Sequence, residues 1–126
     1  MAKQTFEEVS ETIMKYLGER GLDKTNTDRG IAISISLEAN ELLEYFQWSE
    51  ETFGTKQDIA SELADILIYS IHLARRNDID LMNAVAKKVE EQAKKYPVEI
   101  FKIKDKDERD RAFLEAKKSY KKNTTL

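Results

Sequence analysis

Apolar side chains recur at spacings of three and four along most of the chain, which is the pattern of amphipathic helices. This spacing predicts four helices, over about residues 4–18, 29–48, 56–76 and 80–95. The polar stretch 22–28 is interpreted as a loop, with Thr27 or Asp28 as the N-cap of the second helix. Thr55 and Asp58 have the spacing of a capping box ahead of the third helix. We therefore expect an all-α protein with a four-helix-bundle-like fold.

The chain after the fourth helix has a different character. Pro97 ends that helix, a short apolar piece over residues 98–103 is expected to be extended, and residues 106–120 are charged with helical potential. Residues 1–101 hold 12 basic and 19 acidic residues, whereas residues 102–126 hold 9 basic and 5 acidic ones. We therefore expect one domain over 1–101, followed by a charged C-terminal tail over 102–126.

The third helix is apolar on more than one face, which predicts burial on two sides. Its apolar positions are Ile59, Leu63, Ile66, Leu67, Ile68, Tyr69, Ile71 and Leu73. Either this helix is the centre of the bundle or one of its faces packs against a second subunit. We favour an oligomer.

Composition excludes several classes of function. The chain has no Cys and one His, which excludes a thiolate metal site and any site that needs two imidazoles. The formal net charge of −3 argues against a nucleic-acid polymer as partner. No apolar run is long enough to cross a bilayer, and the first residues lack the apolar region of a signal peptide, so we expect a cytoplasmic protein with no membrane partner.

Two acidic pairs interrupt the apolar pattern of the second and third helices. Glu38 and Glu41 are three residues apart on one helix, and Glu62 and Asp65 are three residues apart on the next. Carboxylates facing each other at about 4 Å repel by roughly 4 kcal/mol at an effective dielectric constant near 20, so a cation is needed if the pairs meet. An all-oxygen ligand set favours Mg²⁺. The alternative is a pair of solvated acidic faces, and the spacing alone leaves both open.

Further positions could contact a phosphorylated ligand or could be purely structural. Lys88, Gln92 and Lys95 share one face of the fourth helix, and this face could meet phosphate oxygens or simply be solvated. Trp48 could stack on a nucleobase or pack in the core.

Three segments together resemble a known family. The run Glu38-Ala39-Asn40-Glu41-Leu42-Leu43-Glu44-Tyr45-Phe46-Gln47-Trp48 resembles the first acidic motif of the MazG-like all-α nucleotide pyrophosphohydrolases, in the small single-domain branch that includes dCTP pyrophosphatases. The run Glu62-Leu63-Ala64-Asp65-Ile66-Leu67-Ile68-Tyr69 resembles the second acidic motif. Lys88, Gln92 and Lys95-Tyr96-Pro97 resemble the closing element, and the likeness covers about residues 20–97.

The resemblance implies a fold, an activity and a set of site residues. It implies a MazG-type helical fold, completed as a homodimer or homotetramer, which hydrolyses nucleoside triphosphates to monophosphates and pyrophosphate in nucleotide-pool house-cleaning. Mg²⁺ is the implied cofactor, with Mn²⁺ as a substitute. The implied metal ligands are Glu38, Glu41, Glu62 and Asp65, with Glu41 and Glu38 also catalytic. The implied substrate-binding residues are Trp48, Tyr69, Lys88, Gln92, Lys95 and Tyr96.

The chain departs from this family pattern at three positions. Leu22 and Asn26 stand where the cytosine-preferring branch usually has a Trp and a His, and Gln92 replaces the usual Asn. The altered wall for the base argues against assuming dCTP as substrate. Two alternatives stay open: a non-catalytic helical interaction module, and a related all-α enzyme acting on dUTP or phosphoribosyl-ATP.

Overall fold

The computed structural model describes residues 2–124, with side chains described through residue 120. These residues form helices and no strand, which confirms the all-α prediction. The helices are α1 (Phe6–Glu19), α2 (Leu22–Thr25), α3 (Asp28–Glu44), α4 (Lys56–Arg76), α5 (Leu81–Lys95), α6 (Val98–Phe101) and α7 (Lys106–Thr124).

Side-chain caps begin the longer helices of the first part of the chain. Thr5 accepts a hydrogen bond from the Glu8 backbone N–H at the start of α1, and the Glu8 carboxylate accepts one in return from Thr5. Thr27 caps α3, as one of the two predicted alternatives. The predicted capping box at Thr55 and Asp58 is confirmed, with both reciprocal hydrogen bonds present. Such caps satisfy backbone N–H groups that the first helical turn leaves unpaired.

The expected loop over residues 22–28 was wrong, because residues 22–25 form the short helix α2. Gly21 has a positive φ of 68°, a conformation that glycine adopts at little cost, and it redirects the chain after α1. The backbone N–H of Asn26 then donates to the Leu22 carbonyl at 3.1 Å and closes a helical turn. Polar composition predicted a loop, whereas the turn geometry at Gly21 begins a helix.

Two other boundaries also differ from expectation. The predicted extended piece after Pro97 is the short helix α6, and Ile100 N–H donates to the Pro97 carbonyl at 3.1 Å. Proline is favourable in that place because the start of a helix leaves backbone N–H groups unpaired anyway. The helix predicted to reach residue 48 ends at Glu44, where the chain turns and the Phe53 N–H donates back to the Tyr45 carbonyl at 2.8 Å.

The described chain divides into two compact units, one up to Asp80 and the other from Leu81. In the first unit α3 packs along α4, and α1 contacts both α2 and α4. The core of this unit is small, and its buried side chains are Ser10, Ile13, Leu17, Ile31, Ile71, His72 and Ala74. The predicted boundary at residue 101 stays a prediction.

The end of α4 is tied to the other helices of the first unit by two arginines. Arg75 donates from Nη2 to the Glu11 carboxylate on α1 at 2.5 Å. Arg76 donates from Nε to the Asp28 carboxylate at 2.5 Å and from Nη1 to the Asp23 carbonyl at 3.2 Å. These contacts join residues 48 to 64 positions apart in the sequence, so they stabilise tertiary rather than local structure.

In the second unit α7 packs through aromatic side chains. The ring of Phe113 stacks on Tyr96 with centroids 4.4 Å apart, and Phe101 meets Phe113 edge-on at 6.5 Å. The Lys95 ammonium lies 4.6 Å from the centroid of the Tyr120 ring. The charged tail is therefore a helix with an apolar contact face, which explains how a segment with so few apolar residues can be held in place.

Several large apolar side chains remain exposed on this chain. On α4, Leu63 is 52% exposed and Leu67 is 48% exposed, although the sequence pattern predicted burial of this helix on two sides. None of the helices in the described residues is both long and apolar enough to cross a membrane.

Candidate active site

Three acidic side chains from two helices meet in the first unit. Glu38 and Glu41 lie one turn apart on α3, and Glu62 lies on α4, which packs against it. One carboxylate oxygen from each of the three lies within 4.8 Å of the others. Glu38 and Glu62 are partly buried, whereas Glu41 is exposed. The helix pairing therefore joins acids that are more than 20 residues apart in sequence.

Two of these carboxylates have oxygens that are buried and unsatisfied. The Oε2 atoms of Glu38 and Glu62 have no solvent contact and no hydrogen-bond partner. Burial, together with the adjacent carboxylate of Glu41, raises the pKa of Glu38 to about 7. Burial and Glu41 also raise the pKa of Glu62. Acids with raised pKa values in a cleft are typical of functional sites, because placing like charges close together lowers the stability of the fold.

The chemistry of this group fits a hard divalent cation. All three donors are carboxylate oxygens, which Mg²⁺ and Mn²⁺ accept, and no imidazole or thiolate is among them. A cation placed among these oxygens would offset the repulsion between the carboxylates, which together with burial raises the pKa of Glu38. The acidic trio of Glu38, Glu41 and Glu62 is therefore a candidate metal site.

Asp65, the fourth predicted ligand, lies outside this group of three. It is partly buried on α4, and its charge contributes to the raised pKa of both Glu38 and Glu62. Asp65 also lines a cavity of about 650 Å³. This residue therefore lies between the acidic trio and the cavity.

The cavity is formed by all four helices of the first unit and is mainly apolar. Pockets of this size accommodate small organic ligands, and a few polar groups in an apolar lining fix their orientation. The polar side chains that line it belong to Thr12, Tyr16, Asn26, Ser34, Asp65 and Tyr69. The apolar lining comes from Ile13, Leu17, Leu22, Ile31 and Ile68, with Gly30 between them.

The predicted substrate-binding residues have different positions in the structure. Tyr69 lines the cavity, as a contact to base or sugar requires. Trp48 lies in the turn after α3, is 78% exposed and does not line the cavity. It is also not a core residue, which was the structural alternative for this side chain.

The four remaining predicted contacts lie in the second unit. Lys88 and Gln92 are exposed on α5, and the Lys88 ammonium lies 3.8 Å from the Glu91 carboxylate. The Lys95 ammonium lies 5.0 Å from the centroid of the Tyr96 ring. Their role in binding a substrate stays a prediction.

Two tyrosines near the site were not among the predicted site residues. Tyr16 lines the cavity from α1. Tyr45 follows α3, and burial together with the charges of Asp58 and Glu62 raises its pKa. Tyr45 shares a helical stripe with Glu38 and Glu41, which was the signal available in the sequence. Leu22 and Asn26, the positions that depart from the family pattern, also line the cavity.

Comparison with known proteins agrees with this all-α fold. Residues 33–110 match the MazG-like family, and this match spans more than half of the chain. The chain therefore belongs to the MazG-like family.

Within this family, the similar proteins are pyrophosphatases. The chain is 30% identical to dCTP pyrophosphatase 1 of Mus musculus and 28% identical to dCTP pyrophosphatase 1 of Homo sapiens, in each case over 76% of this chain and 61% of the relative. It thus spans about three fifths of the length of the curated relatives it matches. A crystal structure of a pyrophosphatase from Archaeoglobus fulgidus superimposes with a TM-score of 0.65 at 33% identity, covering 77% of this chain and 96% of that one.

Proposed function

We propose that this protein is a nucleoside triphosphate pyrophosphohydrolase, which cleaves between the α- and β-phosphates to release a monophosphate and pyrophosphate. The observation that carries this proposal is the acidic trio with two unsatisfied buried carboxylate oxygens, adjoined through Asp65 by a cavity of about 650 Å³. Triphosphate hydrolysis of this kind uses a cation site for the phosphates and a pocket for the nucleoside, and we propose the acidic trio and the cavity for these two roles. Membership of the MazG-like family gives independent support.

Glu38, Glu41, Glu62 and Asp65 are proposed to hold Mg²⁺, with Mn²⁺ as a substitute. A bound divalent cation would supply positive charge that neutralises the phosphates and favours attack on phosphorus. Glu41 is the exposed member of the trio, and we propose that its carboxylate accepts a hydrogen bond from the attacking water and orients it. Glu38 is proposed to share this catalytic role.

The base and sugar are proposed to occupy the cavity, with Tyr69 and Tyr16 as aromatic contacts. Lys88, Gln92, Lys95 and Tyr96 are proposed to contact the phosphates, where lysine charge would stabilise the leaving pyrophosphate. Trp48 is exposed and available to cover a bound ligand. The relatives are named for dCTP. In this chain Leu22 and Asn26 line the cavity where the cytosine-preferring branch usually has a Trp and a His, so we do not propose dCTP as the preferred substrate.

A homodimer or homotetramer is proposed as the working form. The exposed apolar residues of α4, Leu63 and Leu67, favour a contact with a second copy of the chain. The sequence further favours a cytoplasmic enzyme with a house-cleaning role in the nucleotide pool.

The test is a panel of canonical and modified nucleoside triphosphates with Mg²⁺, in which pyrophosphate and orthophosphate are both measured. We expect pyrophosphate as the primary product, and orthophosphate as the sole product would contradict cleavage between the α- and β-phosphates. Glu38→Gln and Asp65→Asn should abolish turnover, whereas the exposed Glu44→Gln on α3 serves as a matched control. A chain that neither turns over triphosphates nor gains thermal stability from Mg²⁺ or Mn²⁺ would be an interaction module instead.

A further inference from the structure

One wall of the cavity is held differently from the others. Three walls come from α1, α3 and α4, each of which is at least 14 residues long and contributes buried core side chains. The fourth wall carries Leu22 and Asn26, from α2 and the residue after it. Helix α2 has only four residues, no buried side chain and no side-chain cap. A helix this short is not stable by itself, so tertiary contacts must hold it.

Arg76 supplies such contacts on both sides of Asn26. Its Nη1 donates to the Asp23 carbonyl within α2 at 3.2 Å, and its Nε donates to the carboxylate of Asp28, the first residue of α3, at 2.5 Å. Asn26 lies between these two anchor points in the sequence and faces the cavity. One planar guanidinium therefore fixes the segment that carries the wall residue to the end of α4.

This arrangement depends on arginine rather than on positive charge alone. A guanidinium presents several donors in a rigid fork, so Nε and Nη1 can serve two acceptors at once, whereas a lysine ammonium is a single point charge on a flexible stem. The side chain of Arg76 is 28% exposed and that of Asp28 is 51% exposed, so the value of this contact lies in its geometry rather than in charge attraction. Arg75, the neighbouring arginine, contacts Glu11 on α1 instead.

Asn26 is the polar residue of this fourth wall, and Leu22 is the apolar one. The Asn26 amide offers a donor and an acceptor side by side, which is the arrangement that reads a base edge by paired hydrogen bonds. Such pairing tolerates little displacement, because a hydrogen bond weakens steeply when its distance and angle depart from their ordinary values.

We propose that Arg76 is a positioning residue for base selection, which holds α2 and the start of α3 as the wall of the cavity that meets the nucleobase. This inference rests on the proposed function, because it needs the nucleoside to occupy the cavity. Arg76 does not line the cavity itself, so it acts through Asn26 and Leu22.

The chain contains a built-in reporter for this contact. His72 is the only histidine, and it is 1% exposed on α4. Burial and then the Arg76 charge lower the pKa of His72, whereas the charges of Asp23 and Asp28 raise it. Loss of the Arg76 charge should therefore raise the pKa of His72, and loss of Asp28 should lower it. An NMR titration of this single imidazole follows both changes without any substrate.

The experiment compares Arg76→Gln, Arg76→Lys, Asp28→Ala and the double variant Arg76→Gln/Asp28→Ala with Arg75→Gln as the matched control. For the best substrate of the wild-type chain, we expect KM to rise at least about five-fold in each Arg76 and Asp28 variant while kcat stays within about two-fold. The ratios of kcat/KM among bases should fall toward one. The double variant should be no worse than Arg76→Gln alone, because Arg76→Gln already removes the contact with Asp28. Arg75→Gln should keep the wild-type KM and base ranking.

The outcomes separate this inference from the proposed function. A wild-type chain that turns over no triphosphate contradicts the proposed function and the inference together. An active wild type whose Arg76 and Asp28 variants keep their KM and base ranking, while the pKa of His72 shifts as expected, contradicts the inference alone. Effects of the two single variants that add in the double variant also contradict it. If Arg76→Gln does not fold, KM and base ranking are compared between the wild type and the variants Arg76→Lys and Asp28→Ala.

Discussion

At the scale of single residues, the Glu38 carboxylate is expected to destabilise the fold when no metal is bound and to bind the cation when metal is present. Its ordinary pKa is near 4.5, and in the folded chain burial and the Glu41 carboxylate raise the pKa to about 7. Between these two values the folded state binds a proton that the unfolded state has released. The contribution of Glu38 to stability therefore falls as pH rises from about 4.5 to about 7, and above that range the charged carboxylate destabilises the metal-free fold.

The variant Glu38→Gln should therefore act in opposite directions with and without metal. Above pH 7 and without metal, we expect it to melt at a higher temperature than the wild type, because a neutral amide replaces a crowded carboxylate. With Mg²⁺ or Mn²⁺, we expect its affinity for the cation to fall at least about ten-fold, since one ligand is lost. Thermal melts across pH 4.5 to 8, with and without cation, measure both effects.

Glu44→Gln is the control for this prediction, because Glu44 lies on the same helix but is exposed and outside the acidic trio. It should leave the pH profile and the stabilisation by cation unchanged. If the metal-free stability of the wild type did not fall relative to that of Glu38→Gln between pH 4.5 and 7, the crowding of the acids would be contradicted.

At the scale of elements, the turn between α3 and α4 depends on one glycine. A Cβ atom at Gly54 would lie 2.7 Å from Cδ1 of the Tyr45 ring, which is closer than real Cβ contacts allow. Tyr45 is partly buried and feels the charges of Asp58 and Glu62, so moving its ring disturbs the edge of the acidic site. The close approach of the Gly54 backbone to the Tyr45 ring therefore helps to fix the path of the turn that connects α3 to α4.

We expect Gly54→Ala to lower the free energy of unfolding by about 1–3 kcal/mol, the usual cost of an overpacked contact. Urea denaturation followed by circular dichroism measures this change. Gly18→Ala is the matched control, because a Cβ there would meet only Asp23 Oδ2, at 3.9 Å, and it lies within α1. That control should be neutral or stabilising by up to about 1 kcal/mol, given the helix propensity of alanine. Equal stability of Gly54→Ala and the wild type would contradict the contact.

At the scale of the whole molecule, the exposed apolar residues of α4 bear on assembly. A proposed dimer would bury Leu67, which is 48% exposed on this chain. We expect Leu67→Glu to reduce the molar mass found by light scattering toward that of one 14.6 kDa chain, because a charge in an apolar interface is costly. Ser61→Glu, an exposed position on the same helix, should leave the assembly intact. A wild-type protein that is monomeric at high concentration would contradict the proposed dimer.

Local signals account for the parts of the structure that were predicted from the sequence. The spacing of apolar residues predicted α1, α3, α4 and α5, and Thr55 with Asp58 marked a helix start, because periodicity and capping involve residues within one or two turns. The three-residue separation of Glu38 and Glu41 likewise predicted that they lie on one side of a helix. Boundaries were less reliable, and α2 and α6 were missed because four-residue helices are formed by a single turn whose geometry depends on Gly21 or Pro97.

The sequence by itself determined that the chain is helical, where the long helices lie and which acids share a helix face. Only the tertiary structure decided that Glu62 joins Glu38 and Glu41, that Asp65 stands apart at the cavity, and that Arg76 reaches α2 and the start of α3. The physical reason is the range of the interactions. Helix periodicity and capping are set by neighbours in the chain, whereas buried carboxylates, a cavity and a long-range clamp arise from how the helices pack.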